Sequence, residues 1–169
     1  MYTFPLISQT EFYQGDIIGS YPFMNLTKLK PLTVSESEIV EGEGAPNAAT
    51  QKVSVAVDPR NVMVISQTCD AQRRENLIIC PIYTMAEYIA ASSPNGDKLR
   101  TLRDGKIYYW LYLPAYQSIL EESFVDLQQL IYVPRPQLEA YRSARILSLN
   151  DLGRHRLGWS MAAFLGRPL

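Results

Sequence analysis

One histidine, two cysteines and no long apolar run leave this chain of 169 residues poor in the groups that much enzyme chemistry uses. The histidine, His155, sits between Arg154 and Arg156, which reads as a surface position and not as half of a catalytic dyad. Cys69 and Cys80 are too few, and too far from other ligand types, for a zinc site; no metal and no cofactor are expected. No stretch nears the roughly 20 apolar residues that a membrane helix takes. Residues 1–7 lack the basic region and apolar core of a leader, so the expectation is a soluble cytoplasmic protein with reduced thiols and no membrane partner. Charge of one sign is missing too. Sixteen basic against 17 acidic residues leave a net charge of −1 and no global pull towards polyanions. The charge is unevenly spread, with Glu36, Glu38, Glu41 and Glu43 in one stretch and six arginines from Arg135 onward against Glu139 and Asp151. Two solvated faces explain that pattern better than a dedicated polyanion site.

What the chain does have is a series of short, turn-bounded apolar runs. Gln14-Gly15-Asp16 reads as a turn feeding a strand over 16–23, with Pro22 near its end as at a sheet edge. Residues 26–50 carry little periodicity and read as a long acidic loop, with 34–48 its most mobile part. Alternation over 52–57 predicts a half-buried strand, broken at Asp58-Pro59 and followed by a second over 62–66, a short hairpin. Further strands are expected at 77–82, 107–113 and 123–132, the last with a bulge, and a short helix at 85–91. A helix near 149–165 closes the chain, started by Ser148-x-x-Asp151 and weakened by Gly153 and Gly158. The sum is one mainly β domain over 1–169 with a C-terminal helix, a small SH3-like antiparallel β-barrel.

The stretch "VISQTCD" (64–70) holds the first candidate chemistry. A nucleophilic cysteine needs a base, and a neighbouring carboxylate disfavours a thiolate, so Cys69 reads as a small buried group. Ser66, Gln67 and Asp70 read first as side chains closing a turn, and second as the rim of a substrate site. Asp16 reads as a turn residue accepting backbone hydrogen bonds, with substrate contact as its other reading. In "IYYWLYLPAY", Tyr108, Tyr109, Trp110 and Tyr112 invite base stacking, but alternate residues must face a core. The core reading is preferred there, and the basic residues Lys98, Arg100, Arg103 and Lys106 just upstream keep the other open.

The order of "QGDII", "RNVMVIS", "LIICPIYT", "SFVDLQQLIYV" and "LSLNDLGRHRLGWSMAAFLG" resembles the plan of the MazF/PemK toxins. That resemblance implies a compact MazF-like barrel and, as chemistry, metal-independent cleavage of RNA by the substrate's own 2′-OH. It implies a homodimer and a cognate antitoxin or other regulatory protein as partners. It puts Arg60 at the family's arginine, where a guanidinium would stabilise the phosphorane, with Thr84 as the catalytic hydroxyl. Asn61 stands where the family has proline. Tyr83 occupies the family's threonine position, as a substrate contact, and Thr84 comes one residue late. Two functions follow: a divergent toxin-type endoribonuclease, or a catalytically silent MazF-like binding or regulatory module of a bacterial stress or phage-defence system.

Overall fold

The computed structural model describes residues 11–24, 30–31, 53–54 and 57–166. Apart from residues 30–31, the acidic loop expected over 26–50 lies outside them, as do residues 52, 55 and 56 of the strand expected over 52–57. By its contacts the chain forms two compact units, Met1–Tyr21 with Arg60–Leu169, and Pro22–Pro59.

The described strands are β1 (Asp16–Met24), β2 (Lys30–Pro31), β3 (Val53–Ser54) and β4 (Val57–Val64), then β5 (Asn76–Thr84), β6 (Trp110–Leu113), β7 (Ser123–Asp126), β8 (Ile131–Pro134) and β9 (Arg145–Ser148). The helices are α1 (Thr68–Arg73), α2 (Met85–Ser92), α3 (Gly96–Arg103), α4 (Arg135–Glu139) and α5 (Asp151–Leu165). Among the described residues, β2 pairs only with β3. The other seven strands form one antiparallel sheet ordered β6-β7-β5-β4-β1-β9, with β8 also on β5. The architecture is therefore mainly antiparallel β with a C-terminal helix, its sheet an open path and not a closed ring.

Strand β5 is the centre of this sheet. Its apolar run leaves Leu77, Ile79 and Cys80 fully buried. One edge meets β4, while β8 and β7 pair with its two halves in turn. Residues 127–130 connect β7 and β8 as a turn, so the single bulged strand expected over 123–132 is two strands. Below the sheet, Ile17, Met63, Leu113, Val125 and Leu157 share the main core. That buries one face of α5 through Leu157 and leaves Leu152 and Trp159 exposed.

Several sequence readings are corrected here. Asp58-Pro59 does not break a hairpin: β4 runs straight through it, since proline's fixed φ fits an extended backbone and costs only one ladder donor. Residues 68–70 are the start of α1, not a loop-closing turn. Asn95-Gly96 starts α3 instead of ending structure, because the Asn95 side chain accepts from Lys98 N at 2.9 Å. Residues 107–109 precede β6 as a turn. Helix α5 is capped by Asn150, which accepts from Gly153 N at 2.9 Å. Ser148 is buried as the last residue of β9 and accepts from Arg154 Nη2. The turn before β1 does require glycine. Gly15 has φ 87°, and a Cβ there would lie 2.8 Å from Leu149 Cβ.

Candidate functional site

Cross-strand register assembles the site. β4 and β5 pair Val62 with Pro81 and Val64 with Ile79, and two residues further along that register Arg60 stands opposite Tyr83. The guanidinium lies over the Tyr83 ring, 4.3 Å from its centroid, a cation–π contact. Tyr83 is in turn opposite Phe124 of β7, and Trp110 of β6 is opposite Asp126 of β7. Residues opposite one another, and those two apart on a strand, share a face. Arg60, Tyr83, Phe124, Asp126 and Trp110 therefore line one surface. The rings are in contact: Trp110 and Phe124 centroids lie 4.7 Å apart, and Tyr88 meets Trp110 edge-on at 5.1 Å.

Helix α2 stands at this surface because β5 runs into it without a loop. Thr84 ends the strand and caps the helix: its Oγ1 accepts from Glu87 N at 3.0 Å, and Glu87 Oε2 accepts from Thr84 N at 2.8 Å. The reciprocal cap fixes Glu87, whose Oε1 and Oε2 lie 3.2 and 3.4 Å from Arg60 Nη1. Glu87 is about half exposed at 49% of its side chain, Arg60 only 18%. Between helix and sheet is a hollow of about 360 Å³, with Ala91 and Gln129 completing its walls.

The inner wall is polar in one place. Tyr83 Oη donates to Gln129 Oε1 at 2.9 Å, and Gln129 Nε2 donates to Asp126 Oδ2 at 2.8 Å. Asp126 Oδ1 accepts from Gln128 N at 3.1 Å, which fixes the turn after β7. Burial, outweighing the opposite pull of Gln129 and Arg60, pushes the Tyr83 hydroxyl above its ordinary range, so it stays protonated as a donor at neutral pH. Trp110 Nε1 and Tyr88 Oη, on two residues of this surface, are buried without a hydrogen-bond partner among the described residues.

Of the residues singled out in the sequence, the structure brings Arg60, Tyr83, Thr84 and Trp110 together and places the other candidate site residues elsewhere. Asp16 is fully buried, accepts from Tyr13 N at 2.9 Å and pairs with Arg145 at 3.0 Å. Ser66 Oγ accepts from Ile78 N at 2.8 Å, a strand-end role. Gln67 is the residue before α1. Asp70 pairs with Arg74 and lines a separate, polar hollow with Arg73, Asn76 and Tyr132. Cys69 is exposed, which overturns its reading as a buried group: α1 turns its first residues outward and buries Ala71 instead. The basic residues before β6 are occupied, Arg100 by Asp97, Arg103 by Glu122 and Lys106 by Asp104.

Glu87, Asp126 and Gln129 escaped the sequence reading. The Thr84-x-x-Glu87 spacing after an apolar strand is a capping-box signal that points to Glu87; for Asp126 and Gln129 only the register reveals the role. No family profile and no curated protein matches the chain. An endoribonuclease from mycobacterial species is similar in structure over 66% of this chain and 84% of its own, with 9% sequence identity and a TM-score of 0.42. A likeness at that level assigns neither an activity nor a site.

Proposed function

We propose that the chain is a toxin-type endoribonuclease acting on single-stranded RNA at the Arg60 hollow. The observation that carries the reading is the Arg60–Glu87 pair, 3.2 Å apart with its carboxylate half open to solvent, beside an aromatic hollow. A carboxylate beside a guanidinium supplies both halves of an in-line displacement. Glu87 accepts the proton of the ribose 2′-OH as that oxygen forms its bond to phosphorus. Arg60 donates to the phosphorane oxygens, whose charge grows only in the transition state. The bond from phosphorus to the 5′-oxygen then breaks, the leaving oxygen takes a proton from water, and a 2′,3′-cyclic phosphate remains. Thr84 acts through Glu87, holding it by the helix cap, and is a positioning residue. Metal independence, a homodimer and an antitoxin-type partner belong to the same proposal, and rest on the sequence resemblance alone.

One observation favours the silent-module reading. Thr84 Oγ1 is spent on capping α2, and Arg60 is already engaged by Glu87 and Tyr83. The two readings separate in one experiment. The full chain is incubated with an RNA oligonucleotide, and with the same oligonucleotide carrying one 2′-deoxy sugar at the scissile position, with and without chelator. Cleavage of the RNA alone, unaffected by chelator and lost in Arg60→Ala and Glu87→Gln, supports the enzyme. Binding without cleavage transfers the site to the module reading, and cleavage that chelator abolishes refutes the mechanism.

A further inference from the structure

A second hollow, of about 190 Å³, lies where α5 meets β6. Both tryptophans of the chain line it, Trp110 of β6 and Trp159 of α5, together with Arg156 of the same helix. Trp110 also lines the Arg60 hollow, so the two hollows are neighbours across that one residue. Trp159 is the unusual member. Tryptophan is well buried on average, yet this one keeps 69% of its surface open, on a helix whose Leu157 is in the main core. It is also held in place: its Nε1 donates to His155 Nε2 at 3.2 Å, one turn back along the helix. An indole fixed by its edge and open to solvent needs little further ordering to receive a guest.

We infer that this second hollow receives another base of the same RNA strand, unstacked onto the Trp159 indole, with Arg156 beside its phosphate. The inference rests on the RNA reading of the Arg60 hollow and adds a contact away from the scissile step. Every base has a π-face, so an aromatic platform accepts any of the four and suits a strand already held at a neighbouring site. The lining carries Arg103 and Arg156 against Asp104, a charge that favours a phosphate, although Arg103 is held by Glu122 and Asp104 by Lys106. Arg156 is exposed, and a guanidinium offers paired donors to phosphate oxygens. A second copy of the chain is a poorer occupant. The exposed apolar side chains of α5 are Leu152, Trp159 and Leu165, on a helix of 15 residues, well short of the roughly 800 Å² a side that a stable pair buries.

The test is a double-mutant cycle between ring and base, read as binding by the full chain. Fluorescein-labelled heptanucleotides with 2′-deoxy sugars, which lack the attacking hydroxyl and stay intact, are made in each of the four bases. The tightest binder is then remade with one abasic sugar at each position in turn. Trp159→Ala is expected to weaken the intact probe about tenfold, the effect of one stacked base, while Trp159→Phe keeps most of the affinity. One abasic position should weaken wild-type binding by about the same factor and cost Trp159→Ala nothing further, which couples that base to that ring. Should Trp159→Ala fail to fold, Trp159→Gln takes its place. Unchanged binding in the variant, the same loss in the variant with every abasic probe, or no measurable binding overturns the inference. So does a dimer in solution that Trp159→Ala turns into monomers, which gives this face to a second copy. Coupling at one position without RNA cleavage in the experiment above sinks only the enzyme reading, and cleavage without coupling sinks only this one.

Discussion

Arg145 meets Asp16 at 3.0 Å and Arg60 meets Glu87 at 3.2 Å, nearly the same distance in very different surroundings. Asp16 is fully buried, Arg145 is 12% exposed, and the pair joins the first residue of β1 to the first of β9. Glu87 is half exposed on the first turn of α2. A pair whose carboxylate is fully buried is a structural joint, because breaking it strands that ion in a low dielectric. The two arginines are similarly covered and the carboxylates differ: a pair whose carboxylate is half exposed loses less when opened, so its members can change partners when a phosphate arrives. Similar chemistry in the sequence thus serves two ends, and burial decides which.

The comparison breaks first at the joint. Arg145→Ala is expected to cost about 3 kcal/mol or more, since Asp16 would remain buried and unpaired. Urea unfolding checks it, and a loss below about 1 kcal/mol would place the pair with surface salt bridges. Arg60→Ala should change stability by no more than about 1 kcal/mol, as a partly exposed pair with one cation–π contact. Its turnover of RNA should nevertheless fall by on the order of 100-fold, with a smaller effect on binding. Single-turnover kinetics beside the same urea curve separate the two; equal damage to both would make Arg60 structural.

Thr84→Ala sharpens the contrast on the half-exposed side. It removes the cap of α2 and should cost about 1 kcal/mol by thermal melting. Thr84→Ser should restore both stability and turnover, whereas a direct role for the threonine methyl would leave serine inactive. The smallest effect concerns a third pair, in which Arg103 Nε lies 2.7 Å from Glu122 and Tyr112 Oη donates to the same oxygen. The Arg103 hydrogen bond holds the Glu122 carboxyl below its usual range. Its contribution is therefore present above the unfolded value, about 4.3, and is lost as pH falls through the lower folded value. Glu122→Gln should flatten the decline of stability in that acidic window by under about 1 kcal/mol, given how exposed both side chains are. The opposite limb belongs to Tyr112, whose hydroxyl burial pushes up to about 12. Stability that its neutral form provides is lost as pH rises from about 10 through that value.

Apolar runs made β1, β5 and α2 readable from the sequence, and the broken alternation after Ser123, read as a bulge in one strand, is where the chain turns between β7 and β8. Those signals are local. Strand β9 was missed because "RILS" is too short to show a period, and helix α3 because Leu99 and Leu102 are the only large apolar residues of "GDKLRTLR", where the turn-like Asn95-Gly96 opens it. β9 is held by its antiparallel register with β1, and α3 by the contact of Leu102 with Met85 and Phe124. The candidate site was half legible. Arg60, Tyr83 and Thr84 follow from the order of motifs along the chain. Trp110, Asp126 and Gln129 meet only because three strands are paired in a given register, and a period of two says which face a residue takes but not whom it faces.

The central place of β5 has a consequence for the chain as it is made. Its partners arrive at very different times: β4 is already finished when Asn76 leaves the ribosome, whereas β7 and β8 lie some 40 residues further on, after α2, α3 and β6. A nascent chain halted before Ser123 therefore carries an apolar strand with one edge paired and the other bare, the kind of exposed edge on which sheet proteins associate. Helices α2 and α3 are short and strongly capped at Thr84 and Asn95, and can form locally during that interval. Synthesis of this fold thus has a vulnerable window that begins with one strand and closes when β7 and β8 complete its second edge.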